Sequence, residues 1–236
     1  MSESVWFSQL IERVISQSDL RNRFYRRDLH SSLPFSKPFI TIAREPGSGG
    51  APIGQEVAKR LGFEFYDQKL IEEIAKSARR RKETIAKVDE KARTGIQDFI
   101  QGVLNPSYVS DVTFLKHLIK VTVTLAYHGD TVILGRGANF LTPRDKGLHV
   151  RITAPLSFRL EKAVQYEGHS ELEAKEVIRK VSKDRRDFVR QYFDEDIRRA
   201  ENYDLTINSE CFDVNDCVEI ILRAFQRKFP RAKRML

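Results

Sequence analysis

Three glycines fall within the run Arg44-Glu45-Pro46-Gly47-Ser48-Gly49-Gly50-Ala51, and they are the first residues here whose types and spacing could do chemistry. A loop without side chains lets a ligand approach its backbone closely. Where such a loop opens a helix, its amides and the helix N-terminus form a concave site for a phosphate. The run differs from GxxxxGK[ST], in which the lysine reaches the β- and γ-phosphates and the hydroxyl holds Mg²⁺. With the glycines superposed, Gly50 takes the lysine position and Pro52 the hydroxyl position. The cradle is expected from Gly47, Ser48, Gly49, Gly50, Ala51, Pro52 and Ile53, with Arg44 as the cation on the loop itself. The bland reading is a tight turn between a strand and a helix, with no ligand.

Without the lysine, other cations must neutralise a phosphate. Arg136 follows the apolar run Thr131 to Leu134, and Arg159 stands one turn into a later helix. Arg179, Lys183, Arg186 and Arg190 are spaced four, three and four apart, which puts them on one face of a helix. Such a face repels itself unless an anion compensates it, so it reads as a lid that closes over phosphates. The alternative is a solvated face paired with Glu176, Asp184, Asp187 and Asp194. Asp67 could orient Mg²⁺ through water or hold an acceptor hydroxyl; it could equally be a helix N-cap. Asn208 could lie beside a nucleobase or serve as a turn residue.

The elements that must position these groups follow from periodicity. Phe39 to Ala43 is an apolar, β-branched run, as a strand buried on both faces should be. Ile53, Val57, Ala58 and Leu61 recur at helical spacing, and Gly62 stops that helix. Phe63 to Tyr66, Thr131 to Leu134, His149 to Ile152 and Asp204 to Ile207 read as four further strands. Helices are expected over 68–78, 110–127, 156–166, 170–200 and 213–228, with Ser170 and Glu173 at capping-box spacing. Strands alternating with helices imply an α/β fold with a five-stranded parallel sheet flanked by helices. Residues 1–37 read as an added helix and linker, which packs on the domain or against a second subunit. Residues 38–236 form the main domain, with a helical lid over 168–200.

The chain has 236 residues and a net charge of +8, which suits a polyanionic ligand. No membrane span and no signal-peptide layout is evident, so a soluble cytoplasmic protein is expected. Cys211 and Cys217 form no zinc pattern and the histidines do not cluster, so no structural metal is expected. The basic runs lack the aromatic interleaving of a nucleic-acid module, so nucleic acid is not the expected partner.

From Ile40-Thr41-Ile42 through Arg44, Gly47-Ser48-Gly49-Gly50, Ile53-Gly54, Leu61-Gly62 and Phe65-Tyr66-Asp67, the chain resembles the cytidylate kinase-like family of P-loop nucleoside monophosphate kinases. Val132 to Gly137, Ala154-Pro155 with Arg159, Asp184-Arg185-Arg186 and Tyr203 to Asn208 continue the resemblance in order. It covers roughly residues 38–228. It implies a P-loop kinase fold and transfer of the ATP γ-phosphoryl to CMP, dCMP or a related acceptor, with Mg²⁺. It implies an acceptor flap over 79–108, with Arg136, Arg159 and Asp187 binding the acceptor and Arg186, Arg190, Lys183 and Asp67 acting in transfer. In cytidylate kinases proper the third strand ends in Gly-Arg-Asp; Gly137 stands here for the aspartate. Two other readings stay open. One is a nucleotide-binding regulator without turnover, favoured by Gly50, Pro52 and Gly137. The other is a basic protein associated with nucleic acid.

Overall fold

The computed structural model describes residues 35, 37–69, 71, 121–135, 137–168 and 170–235. Residues 1–34, the flap at 79–108, most of the helices expected over 68–78 and 110–127, and Arg136 lie outside the described residues.

Five strands form one parallel sheet in the order β2-β3-β1-β4-β5. They are β1 (Phe39–Arg44), β2 (Glu64–Tyr66), β3 (Thr131–Leu134), β4 (Gly147–Thr153) and β5 (Leu205–Asn208). The central β1 pairs Ile40 with Val132 of β3 and with Leu148 of β4. It is buried on both faces, which is why it reads as an unbroken apolar run.

One face carries Ile40, Ile42, Val132, Leu134, Val150 and Ile152. The helix Gly50–Leu61, α1, lays Ile53, Val57 and Leu61 against it. A second helix on this core, Val214–Lys228, is opened by a capping box between Asp213 and Asp216 and adds Val218, Ile221 and Phe225. Each such side chain contributes about 1.5–3 kcal/mol on burial. α1 ends at Gly62, whose φ of 66° is left-handed, and Phe63 N then donates to Ala58 O at 2.8 Å.

The other face packs Phe39, Ile133, Phe140, Val189 and Phe193. A short helix α2 (Ala138–Leu141) follows β3, and α3 (Leu156–Glu167) follows β4. The long helix α4 (Glu171–Phe193) has the capping box expected at Ser170 and Glu173. It stops at Phe193, short of the expected residue 200, because Asp194 turns left-handed with φ 52°. Tyr203 Oη then donates to Ile197 O at 2.8 Å and fastens the exit segment. The last helix, Val214–Lys228, is α5.

On this second face lies a buried polar pair. Thr41 Oγ1 and His149 Nδ1 are 2.6 Å apart across β1 and β4, and both residues are almost fully buried. Burial pushes the His149 pKa down to about 3, against the pull of Asp204, whose carboxylate accepts from the His149 amide at 2.9 Å. The unfolded chain takes up this proton near pH 6.5 and the folded chain only near pH 3. Stability from this group is therefore complete above pH 6.5 and is lost as pH falls towards 3. At about 1.4 kcal/mol per unit, roughly 3 kcal/mol should go by pH 4.5. His149→Asn should flatten the fall in denaturant midpoint between pH 6.5 and 4.5; an unchanged slope would assign the acid sensitivity elsewhere.

Candidate phosphate site at the sheet edge

The C-terminal edge of the sheet gathers the glycine loop, the end of β3 and the inner face of α4. Open α/β sheets bind ligands at this edge. Gly47 and Gly49 have φ of 79° and 71°, a left-handed conformation that favours glycine. Between them Ser48 turns inward. Its amide donates to Glu45 O at 3.2 Å, and its hydroxyl donates to Glu45 O at 2.8 Å and Ile152 O at 3.3 Å. Ile53 N is spent on Gly49 O, and Pro52 has no N–H. Ser48, Pro52 and Ile53 therefore shape the loop, which leaves the amides of Gly47, Gly49, Gly50 and Ala51, at and before the start of α1, as its candidate donors.

Glu45 is the hub that holds the loop. It accepts from Arg151 Nη2 at 3.2 Å, from the Thr153 hydroxyl at 2.7 Å and from Ala154 N at 3.4 Å, and it pairs with Arg159 Nε at 3.6 Å. Arg159 also donates to Ala154 O at 3.0 Å and Pro46 O at 3.4 Å, and its side chain is 12% exposed. The residue expected to bind an acceptor also braces the loop. Ser209 joins the same frame, donating to Ser48 O at 2.8 Å and Thr153 O at 3.2 Å. Glu45→Gln should cost about 2–3 kcal/mol by chemical denaturation, below the full cost of a broken buried pair because Glu45 is 29% exposed. A cost under about 0.5 kcal/mol would reduce the hub to a surface pair.

Two adjoining cavities open beside the loop. The larger, about 250 Å³, is lined by Arg44, Gln68, Gly135, Asn139, Asp184, Arg185 and Phe188 among others. The smaller, about 80 Å³, is lined by Arg44, Glu45, Arg151, Arg159, Arg185, Arg186 and Arg198 among others. Among the described lining residues of the smaller cavity, six arginines meet one carboxylate; Arg198 is also paired with Asp196 at 2.7 Å, and the excess of charge that remains suits a polyphosphate. These arginines arrive from β1, β4, α3, α4 and the segment after α4.

The sequence signals for α4 need redistributing. Lys183 and Asp187 pair with each other at 2.9 Å, at 66% and 57% exposure, on the solvent side. The solvated alternative holds for that pair, and Asp187 is not among the described lining residues of either cavity. Arg190 is exposed near the helix end, and Arg186 lines the smaller cavity. The inward cation is Arg185. It lines both cavities, and its Nη1 donates to Arg44 O at 2.7 Å. A signal for it existed: Ile178, Val181, Arg185 and Val189 share one stripe, so Arg185 is a cation in an apolar row. Arg151, Arg198, Glu45 and Ser209 had no comparable signal.

Asp67 directly follows β2 and precedes helical residues, with its carbonyl accepting from Ile71 N at 3.0 Å. Asn208 takes the turn role: its Oδ1 accepts from Glu210 N at 3.2 Å and its Nδ2 faces Cys211 Sγ at 3.6 Å. Gly137 is glycine for a steric reason, since a Cβ there would lie 2.6 Å from the Phe193 ring. No group of three or more His, Cys, Asp or Glu that could hold a metal occurs among the described residues.

The cytidylate kinase-like family matches residues 39–211, from the first strand to just past the fifth. The chain belongs to that family. It is a kinase-like chain, and no helix among the described residues is long and apolar enough to cross a membrane. The crystal structure of an uncharacterized protein from Eubacterium ventriosum is similar at a TM-score of 0.56 and 20% identity, over 80% of this chain and 99% of that one. This likeness is one of fold. A shikimate kinase from Acinetobacter baumannii, in complex with shikimate, is similar at a TM-score of 0.43 and 18% identity, over 82% and 96%. A Corynebacterium glutamicum protein named uronate isomerase is 32% identical over 106 residues, 44% of this chain. The chain spans about a fifth of the length of that curated relative.

Proposed function

We propose that the protein is an ATP-dependent phosphotransferase of nucleoside monophosphate kinase type. The observation that carries this reading is the convergence of arginines from five segments on one opening, beside the residues Arg44, Glu45 and Pro46 that lead into the glycine loop. Phosphoryl transfer asks for positioning and charge neutralisation more than for covalent participation. The amides of Gly47, Gly49, Gly50 and Ala51 would hold the donor phosphates, and the loop is kept in shape by Glu45, Arg159 and Ser209. Arg185 and Arg186 would meet charge developing on the transferring group, and α4 would exclude water above it. The acceptor would occupy the larger cavity, against Gln68, Asn139 and Phe188.

The donor set suits Mg²⁺ carried in by the triphosphate, because this ion keeps waters and needs only one or two carboxylates. Asp184, which lines the cavity, and Asp67, at the end of β2, are the carboxylates that would hold it. Bound there, the ion would neutralise β- and γ-phosphate oxygens.

CMP and dCMP are the acceptors the family suggests, but an aspartate at Gly137 would meet Phe193, so that residue's part in reading the acceptor must fall to others. A coupled assay with ATP over the common nucleoside monophosphates tests the proposal. ADP formation that depends on one acceptor is the expected result. Retained ATP binding with no turnover on any acceptor would replace the enzyme with a nucleotide-binding regulator.

A further inference from the structure

We propose that Arg44 replaces the missing loop lysine, delivering from the end of β1 the charge that P-loop sequences deliver from the position of Gly50. The inference rests on the phosphotransferase reading and deepens it.

Gly50 opens α1 in helical conformation, and its φ is not among the positive ones. The backbone there accepts any residue, so conformation does not call for glycine. Space does. A Cβ at position 50 would lie 2.5 Å from Arg44 Cβ and 2.9 Å from Arg44 Cγ. The volume where a loop lysine would start its stem already holds the stem of Arg44. The head of the same side chain lies against Gly135 at the end of β3, where a Cβ would overlap Arg44 Nη1. Two glycines thus bracket one arginine, one at its root and one at its tip.

The tip is placed for chemistry. It lines the larger cavity, with Nη2 at 3.5 Å from Oε1 of Gln68, a helical residue just past β2. It also lines the smaller, arginine-rich cavity. A phosphoryl group passing from the loop amides to an acceptor in the larger cavity would cross in front of it. The root is fixed by pairing in β1, where Arg44 opposes Ile152, and by the bond from Arg185 Nη1 to Arg44 O. A guanidinium stays charged at any working pH and offers a planar fork to phosphate oxygens, where a lysine offers a point charge. The glycine at the lysine position is then the complement of a relocated cation.

The test is a cation exchange, read as thermal stability and as stabilisation by ATP and by tripolyphosphate. Arg44→Met keeps the apolar stem and removes the charge; it should fold as wild type and weaken both ligands roughly 10- to 100-fold. Gly50→Lys alone should lower the melting temperature, because two stems then compete for one volume. In Arg44→Gly/Gly50→Lys, which removes both stem carbons that a Cβ at position 50 would meet, the lysine should fit, with melting temperature and ligand affinity recovered relative to Gly50→Lys and Arg44→Gly respectively. Wild-type affinity in Arg44→Met, or a double variant that binds no better than Arg44→Gly, would overturn the exchange while leaving the phosphotransferase reading in place. Failure of both ligands to stabilise the wild-type protein would overturn that reading, and this inference with it.

Discussion

Arg185→Ala is expected to lower kcat by about 10³-fold or more, the scale seen when an arginine serving a phosphoryl transition state is lost. Arg185 is the α4 cation that reaches the sheet edge, lining both cavities beside the glycine loop. The helix should survive the change, since alanine is the best helix former and Ile178, Val189 and Phe193 keep their burial. The ground-state cost includes the bond from the charged guanidinium to Arg44 O, worth about 1.5–3 kcal/mol. KM for ATP should change little, because an interaction made only in the transition state acts on kcat. Arg185→Lys should recover little, for want of the guanidinium fork. Lys183→Ala provides the contrast: its side chain is 66% exposed and paired with Asp187, so turnover should stay near wild type. Steady-state kinetics on these variants decide the matter. Wild-type turnover in Arg185→Ala, or a matching loss in Lys183→Ala, would remove α4 as the lid that acts on the transferring group.

The glycine loop and the strands were legible because their signals are local. An apolar run such as Phe39 to Ala43 states its burial without help from distant residues, and Gly47-Ser48-Gly49-Gly50 states its freedom of backbone. What the loop is tied to was not legible. Glu45 finds Arg151 and Thr153 only because β1 and β4 lie side by side in parallel, and those partners are 106 and 108 residues away. The same register brings Thr41 to His149, so a histidine in a strand becomes a buried neutral group. On α4 the exposed cations at four-three-four spacing drew the reading to the solvent side, while the single cation in the apolar stripe, Arg185, went unweighed. Charge repulsion argues that a cationic face needs compensation, but it does not say which face meets the sheet; Ile178, Val189 and Phe193 do.

Gly47→Ala should both destabilise the fold and abolish phosphate binding, whereas Gly49→Ala should do much less to stability. Both glycines are left-handed, so each substitution carries about 1–2 kcal/mol of backbone cost. Their surroundings differ. A Cβ at Gly47 would lie 2.5 Å from Arg159 O and 3.0 Å from Arg159 Cβ, whereas at Gly49 the nearest neighbour is Ile53 Cδ1 at 4.0 Å. Arg159 cannot easily retreat. Its amide bonds to Pro155 O, and its guanidinium bonds to Ala154 O and Pro46 O and pairs with Glu45. The loop must therefore move, adding an overpacking cost of about 1–3 kcal/mol and displacing the amides that would hold the phosphates. Denaturant unfolding should show Gly47→Ala losing about 3 kcal/mol or more and Gly49→Ala about half that. At a hundredfold excess over Kd, ATP should stabilise the wild-type protein by about 2.7 kcal/mol and Gly47→Ala not at all. Equal stability losses at the two positions would mean that the Arg159 brace yields. Undiminished ATP stabilisation of a folded Gly47→Ala protein would mean that the loop is not the phosphate cradle.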